Sequence, residues 1–376
     1  MPDLHAAFIS LFTINMGVQP GERIVVFSDT VRPDERPSLA DADRRLRLHE
    51  AAAAAARFAS EAYGNASFCA FPATAASGTE PPESLWREVF GEQVVAALHR
   101  DGLLARLLAK EASQSELARA RELVLEGKGA VAAVVVAMAN NSTSHTRFRD
   151  LVNAAGGRFA SLPHFDPAMF FSSMAVDWNA LAARTARLAA AMNEAAAVQI
   201  STPAGSRLRL GTQGRPAKGD DGLLTLRGSF GNLPAGEVYL APLEGTAEGR
   251  LVIEYAPTRR LAAPLTLIIS GGNVIHILGD EPYRARLEEK FAESPLNRNI
   301  AELGIGTNDR ASRPDNVLEA EKILGTIHIA LGDNSGFGGS VSTPFHEDYV
   351  CYLPTLTAIR ADGTERQLLV DGELQV

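Results

Sequence analysis

Along the first half of the chain, short apolar runs alternate with longer stretches of helical character. GERIVVFSD (21–29) is a strand-like run ending in Asp29, and the Ala-, Arg- and Glu-rich stretch from about Ala40 to Tyr63 reads as a helix. SFCAFPA (67–73) returns to strand character, and a second helical region spans about 84–125. VAAVVVAM (131–138) reads as a strand buried on both faces, followed by TRFRDLVNAAG as a helix and RFASLP as another strand. Alternation of this kind predicts a mainly parallel sheet covered by helices. No G-x-G-x-x-G follows the first strand, so nothing signals a dinucleotide site.

The rhythm changes after the helix-like segment DWNALAARTARLAAAMNEAAA (177–197). From Val198 the pattern is one of short β runs with turn residues between them: VQIST, SRLRLGT, LLTLRG, EVYLAP, RLVIEY, then LTLIIS and VIHIL across GGN. Helical stretches near 282–292 and 315–324 interrupt these runs, and the tail predicts a hairpin across Asp362-Gly363. The expectation is an α/β N-terminal domain over 1–195 and an α+β C-terminal domain over 196–376 with an antiparallel or mixed sheet.

Composition narrows the ligand class. At 376 residues the chain exceeds what one core usually supports, and a net charge of −9 without a Lys/Arg block argues against nucleic acid. That leaves a small molecule as the expected ligand. The N-terminus MPDLHAAFISLFTINMG carries an acid where a signal peptide would be basic, and no apolar run reaches membrane-spanning length. Cys69 and Cys351 lie far apart in apolar runs and read as two buried thiols. We therefore expect a cytoplasmic protein with no membrane partner.

Candidate chemistry concentrates near the C-terminus, where TPFHEDYV (343–350) places three ionisable residues side by side between apolar neighbours. Burying them is costly unless something pairs or ligates them. In a strand, His346 and Asp348 project to one face about 6.6 Å apart and Glu347 to the other. On spacing alone they are a hydrogen-bonded pair or two ligands of one metal. His328 lies in the apolar run GTIHIALGDN, Glu302 in NIAELGIGTN and Glu237 in PAGEVYLAP, neither glutamate with a cation beside it in sequence. Two glutamates, two histidines and an aspartate exceed the needs of one tetrahedral ion and suit two divalent ions sharing a carboxylate. Without sulfur ligands the expected ions are Zn, Co or Mn. Such a pair activates water and clamps a carbonyl under attack, which implies hydrolysis.

The strings GNLPAGEVYLAPLEGTAEGRLVI, NIAELGIGTN, LEAEKILGTIHIALGDNSGFGG and TPFHED resemble the C-terminal half of the aminopeptidase T and aminopeptidase S family of two-metal aminopeptidases. GVQPGERIVVFSD and NNSTSHTRF resemble its N-terminal domain. The resemblance implies that Glu237, Glu302, His328, His346 and Asp348 are metal ligands, with Glu237 and Glu302 also serving catalysis. It further implies a homodimer whose site faces an internal cavity, and a small peptide or other small molecule as substrate. One position departs: where the family has a tyrosine near the metals, this chain has Ser335, which cannot supply a phenolic proton. GGSVSTPFHED is also similar to a cousin branch of non-haem Fe(II) dioxygenases that open dihydroxypyridine rings. In that branch a histidine stands where this chain has Glu302, giving one Fe(II) on two histidines and a carboxylate.

Other candidates have plainer readings. Thr143 or Ser144 in NNSTSHTRFRDL (140–151) explains that motif as a helix cap, while His145 is a candidate proton shuttle or substrate contact. Glu244 and Glu248 read as loop carboxylates able to brace the site or act as base, and Glu347 as a surface pair. Asp333 and Asn334 either bind a substrate amino group or make the turn that Gly-Asp-Asn favours. The leading expectation is a metal-dependent, aminopeptidase-like hydrolase, with the Fe(II) ring-opening dioxygenase second and a noncatalytic ligand-binding protein on the same scaffold third.

Overall fold

The computed structural model describes residues 4–257 and 259–376 and divides the chain into two compact units, Met1–Ala175 with Gly222–Pro234, and Val176–Asp221 with Ala235–Val376. In the first unit five strands lie in the spatial order Ala66–Pro72, Ile24–Thr30, Val134–Ala137, Arg158–Ser161, Phe230–Asn232, all parallel. Val25, Phe27, Val135 and Phe159 enter one apolar cluster with Trp86, Phe90 and Phe148 from helices, which is why the central strands read as continuous apolar runs. Helix Leu39–Tyr63 starts where the Ser38 side chain accepts the Asp41 N–H and ends at Gly64, with φ 87°. Its buried stripe of Leu48, Ala51, Ala52, Ala55 and Ala59 lets it lie close on the Ile24 and Ala66 strands.

The helical region expected over 84–125 is four helices, Glu83–Phe90, Glu92–Arg100, Leu103–Leu108 and Gln114–Glu126. Its first two breaks fall at Gly91 and Gly102, both at positive φ, and the third lies between Leu108 and Gln114, where Lys110 is also at positive φ. LLTLRG, expected to be a strand of the second domain, forms no strand. It runs as a connection in the first unit, where the Leu224 N–H donates to the Asn15 carbonyl at 2.7 Å, and it feeds Phe230–Asn232 into the parallel sheet. Strand propensity in a short segment yields to whichever partner the fold supplies. The change of unit falls at Val176 rather than near 195, because Leu188, Ala191 and Met192 of helix Trp178–Asn193 pack in the second unit's core.

The second unit contains two antiparallel sheets. The larger has eight strands in the order Asn273–Leu278, Arg259–Ser270, Glu248–Ala256, Arg207–Gly211, Ala197–Ser201, Thr355–Ile359, Glu365–Val370, Glu373–Leu374. The smaller has five, in the order His346–Cys351, Ile327–Gly332, Ile300–Gly306, Glu237–Leu240, Lys218–Asp220. Val198, Leu210, Leu265 and Leu267 of the first sheet share one core with Val238, Leu240, Leu303, Ile305, Ile329 and Leu331 of the second. The hairpin across Asp362-Gly363 is present, pairing Thr355–Ile359 with Glu365–Val370. The helix expected over 315–324 shrinks to Val317–Ala320, because the following backbone bonds to Asn308 instead of continuing the turn. Cys351 is buried, whereas Cys69, on an edge strand of the parallel sheet, is only half-buried; both are free thiols. Among the described residues no helix is long and apolar enough to cross a membrane.

Candidate metal centre

Strand alternation builds the site. In the five-stranded sheet, Leu303 and Ile305, Ile327, Ile329 and Leu331, Val238 and Leu240 all point into the core. Their neighbours must therefore occupy the opposite face. Cross-strand register sets Glu237 opposite Gly306, Tyr239 and His328 opposite Gly304, Glu302 and Asp348 opposite Ala330, and His346 opposite Gly332. One sheet face thus collects all five predicted ligands, separated by residues with little or no side chain. Gly304 is small for a visible reason: a β-carbon there would lie 2.0 Å from the His328 ring, which crosses above it.

Glu302 is the middle of the cluster. Its Oε1 lies 3.4 Å from His328 Nε2 and its Oε2 3.6 Å from His346 Nε2. His328 Nε2 is also 3.4 Å from Glu237 Oε2, and His346 Nε2 is 3.6 Å from Asp348 Oδ1. The His346 Nδ1–H donates to the Asp333 carbonyl at 2.8 Å, which leaves Nε2 to face the carboxylates. Burial alone would depress both imidazoles, but the carboxylates overcome it: Asp348 and Glu302 push His346 up to about 10, and Glu302, Glu237 and Asp348 push His328 up to about 9. Burial raises Glu302, helped by the Asp348 charge, whereas Asp348 is held low against burial by His346, His328 and Lys322.

Four neighbours were not singled out in the sequence. Lys322, 1% exposed, donates to Glu237 Oε1 at 2.5 Å and to Glu321 Oε1 at 2.7 Å. Burial would lower its ammonium pKa, yet Glu237, Glu321 and Asp220 hold it well above the usual lysine range. Asp220, across from Glu237 on the edge strand, is pushed up to about 8 by burial, against the Lys322 charge. Tyr239 shares the face of Glu237, and burial with the charges of Asp220, Glu237 and Glu302 keeps its phenol protonated. Lys322 stands between Glu321 and Ile323 in the sequence, and its burial is set by the fold.

The loop after His328 braces the open side. The Asp333 carboxylate accepts from Ser335 N at 3.3 Å, Ser335 Oγ at 3.1 Å and Thr343 N at 3.0 Å, and the Asn334 side chain accepts from Val341 N at 2.9 Å. Glu244 accepts from Asn334 Nδ2 at 3.1 Å and Ser340 N at 2.8 Å and pairs with Arg215. Asp333, Asn334 and Glu244 therefore hold the turn itself. Phe337 on this loop packs edge-on against His346 and Tyr239. Glu347 points away, paired with Arg286 and accepting from the Tyr283 and Tyr349 hydroxyls. Glu248 is exposed and accepts the Gly271 N–H at 2.7 Å. His145 belongs to the other unit, where it is exposed and its carbonyl accepts from Lys110.

The donor set fits a divalent ion. Three groups, Glu237–Glu302–His328, Glu302–His346–Asp348 and Glu321–His328–Asp348, each bring their ligand atoms within 4.8 Å of one another, and none includes a thiol. Glu237 Oε2, Asp348 Oδ1 and His328 Nδ1 are buried without a hydrogen-bond partner among the described residues. Buried polar atoms are rarely left this way, and a cation would satisfy the two carboxylate oxygens.

Fold and site together define a two-unit α/β protein with a buried carboxylate–imidazole cluster suited to divalent metal. The chain belongs to the NicX family, 2,5-dihydroxypyridine 5,6-dioxygenase, whose family model matches residues 108–375. Its fold is shared with 2,5-dihydroxypyridine dioxygenase from Pseudomonas putida KT2440, at 17% identity and TM-score 0.67 over 99% of this chain and 96% of that one. It is also shared with wild-type AmpT from Thermus thermophilus, at 14% identity and TM-score 0.60 over 99% of both chains. No curated protein sequence gives a significant match. The family and both structural relatives are enzymes.

Proposed function

We propose that this chain is a metal-dependent hydrolase acting on a peptide or amide bond of a small substrate. The observation that carries this reading is Glu302, a buried carboxylate whose two oxygens face two different histidines at the centre of the cluster, where a divalent ion would be held. A divalent ion held here supplies a water of lowered pKa and a Lewis acid for the carbonyl oxygen. The protein's own part is positional. Asp333 fixes the His346 tautomer, Gly304 admits the His328 ring, and Asp348 sets the negative field that attracts the cation. His346, with its side chain 32% exposed, is the edge from which a substrate reaches the cluster. The test is turnover of aminoacyl anilides and other small amides by metal-loaded protein, lost with chelator and restored by Zn, Mn or Co. No amide cleavage under any of these ions would end the reading.

A second reading, an Fe(II)-dependent ring-opening dioxygenase, is favoured by the family match. Glu302, His346 and Asp348 then form a one-histidine, two-carboxylate site in place of the two-histidine site that the resemblance implies for that branch. Oxygen consumption with hydroxylated pyridines, absent with amides, separates the two.

A further inference from the structure

One cation is already built into the Glu237 side of the cluster. The Lys322 ammonium lies 2.5 Å from Glu237 Oε1 and 2.7 Å from Glu321 Oε1, and its side chain is almost wholly buried. The backbone fixes it there. Asn308 N–H donates to the Lys322 carbonyl at 2.9 Å and Leu324 N–H to the Asn308 carbonyl at 3.0 Å. Gly306 passes so close that a β-carbon would lie 2.0 Å from the Ile323 carbonyl. Lys322 is thus laid against the Glu302 strand by main-chain bonds and does not depend on a flexible tether.

An ammonium carries three donors and no lone pair, so it competes with a metal ion for carboxylates and cannot join it as a ligand. In the Glu237–Glu302–His328 group, one carboxylate oxygen of Glu237 is already given to Lys322. In the Glu302–His346–Asp348 group no ligand accepts a hydrogen bond from an ammonium among the described residues, Lys322 reaching Asp348 through its charge alone, and His346 provides access from solvent. A second dication placed beside a fixed buried ammonium meets repulsion that water does not screen. We propose that Lys322 takes the place of a second metal ion. The chain binds one divalent ion, on Glu302, His346 and Asp348, and Lys322 supplies the positive charge of the Glu237 side. This rests on reading the cluster as a metal centre and replaces the two-ion expectation by one.

The experiment is metal stoichiometry, by isothermal titration with Zn²⁺ and Mn²⁺ and elemental analysis after desalting, on full-length wild type, Lys322→Met and Glu237→Gln. The expected result is about one ion per wild-type chain and about two per Lys322→Met chain, whose freed carboxylates complete a second position. Two ions in the wild type, or one in a folded Lys322→Met variant, overturns the proposal. Glu237→Gln decides the matter even if Lys322→Met does not fold. The proposal requires it to keep its single ion with affinity within about threefold, and a loss of about 100-fold or more shows that Glu237 holds the ion, which overturns it. A wild type that binds no divalent ion sinks the metal reading itself, an outcome distinct from binding two.

Discussion

His328 lies across Gly304 so closely that the strand beneath it can carry no side chain at that position, since a β-carbon would be 2.0 Å from the imidazole. The glycine is therefore part of the candidate metal centre without offering it a ligand. Gly304→Ala should displace the ring from Glu237 and Glu302. We expect metal affinity to fall by about 10-fold or more and stability by about 1–3 kcal/mol. Calorimetric titration and urea unfolding read these two effects separately, and an alanine variant that binds metal like the wild type contradicts the placement of the ring.

Among the described residues, Glu302, His346 and Asp348 form the ligand group with an exposed member, His346. Replacing any of them by alanine should lower metal affinity by about 100-fold or more and remove turnover, while circular dichroism stays that of the wild type. If the His346 or Asp348 variant kept its metal and its activity, the assignment of the centre would be lost.

The imidazoles also set the pH behaviour of the metal-free protein. In the folded state His328 and His346 sit at about 9 and about 10, above the 6.5 of an unfolded chain. A raised histidine contributes stability that is complete below the unfolded value and disappears as pH rises through the folded one. With chelator present, the urea midpoint should therefore fall between pH 6.5 and 10. Metal binding at pH 7 should release the proton of His346, the histidine of the group that takes the ion, measurable as a dependence of binding enthalpy on buffer ionisation. Binding without proton release would mean that this ring is neutral before the metal arrives.

Asp333 separates two roles within one residue. Its carboxylate ties Ser335 and Thr343 into the loop, and its carbonyl orients His346. Asp333→Ala removes only the first of these. Amide exchange over residues 334–343 should accelerate by about 10-fold or more, at about 0.5–1.5 kcal/mol per lost bond, while metal affinity changes by less than about 10-fold. A collapse of metal affinity would show that the loop, and not the carbonyl alone, holds His346.

Much of this site could be read in one dimension because strand alternation is local. A period of two is enough to put His346 and Asp348 together and Glu347 apart, and an acid stranded in an apolar strand, such as Glu302 in NIAELGIGTN, is conspicuous wherever it occurs. The parallel sheet followed by antiparallel sheets was legible for the same reason. What stayed hidden depends on contacts between segments distant in sequence. LLTLRG has the composition of a strand and forms none, and the unit boundary moved because helix Trp178–Asn193 packs forward in the chain, not back. Lys322 is the sharpest case. It stands between Glu321 and Ile323 in the sequence, and it becomes a buried ammonium only because Gly306 and Asn308 draw that segment onto the strand of Glu302. The residue types available to bind metal were determined by the sequence alone. Which charges share the site, and so how many ions it takes, is decided by tertiary structure, because electrostatic competition depends on distances and burial that no local pattern encodes.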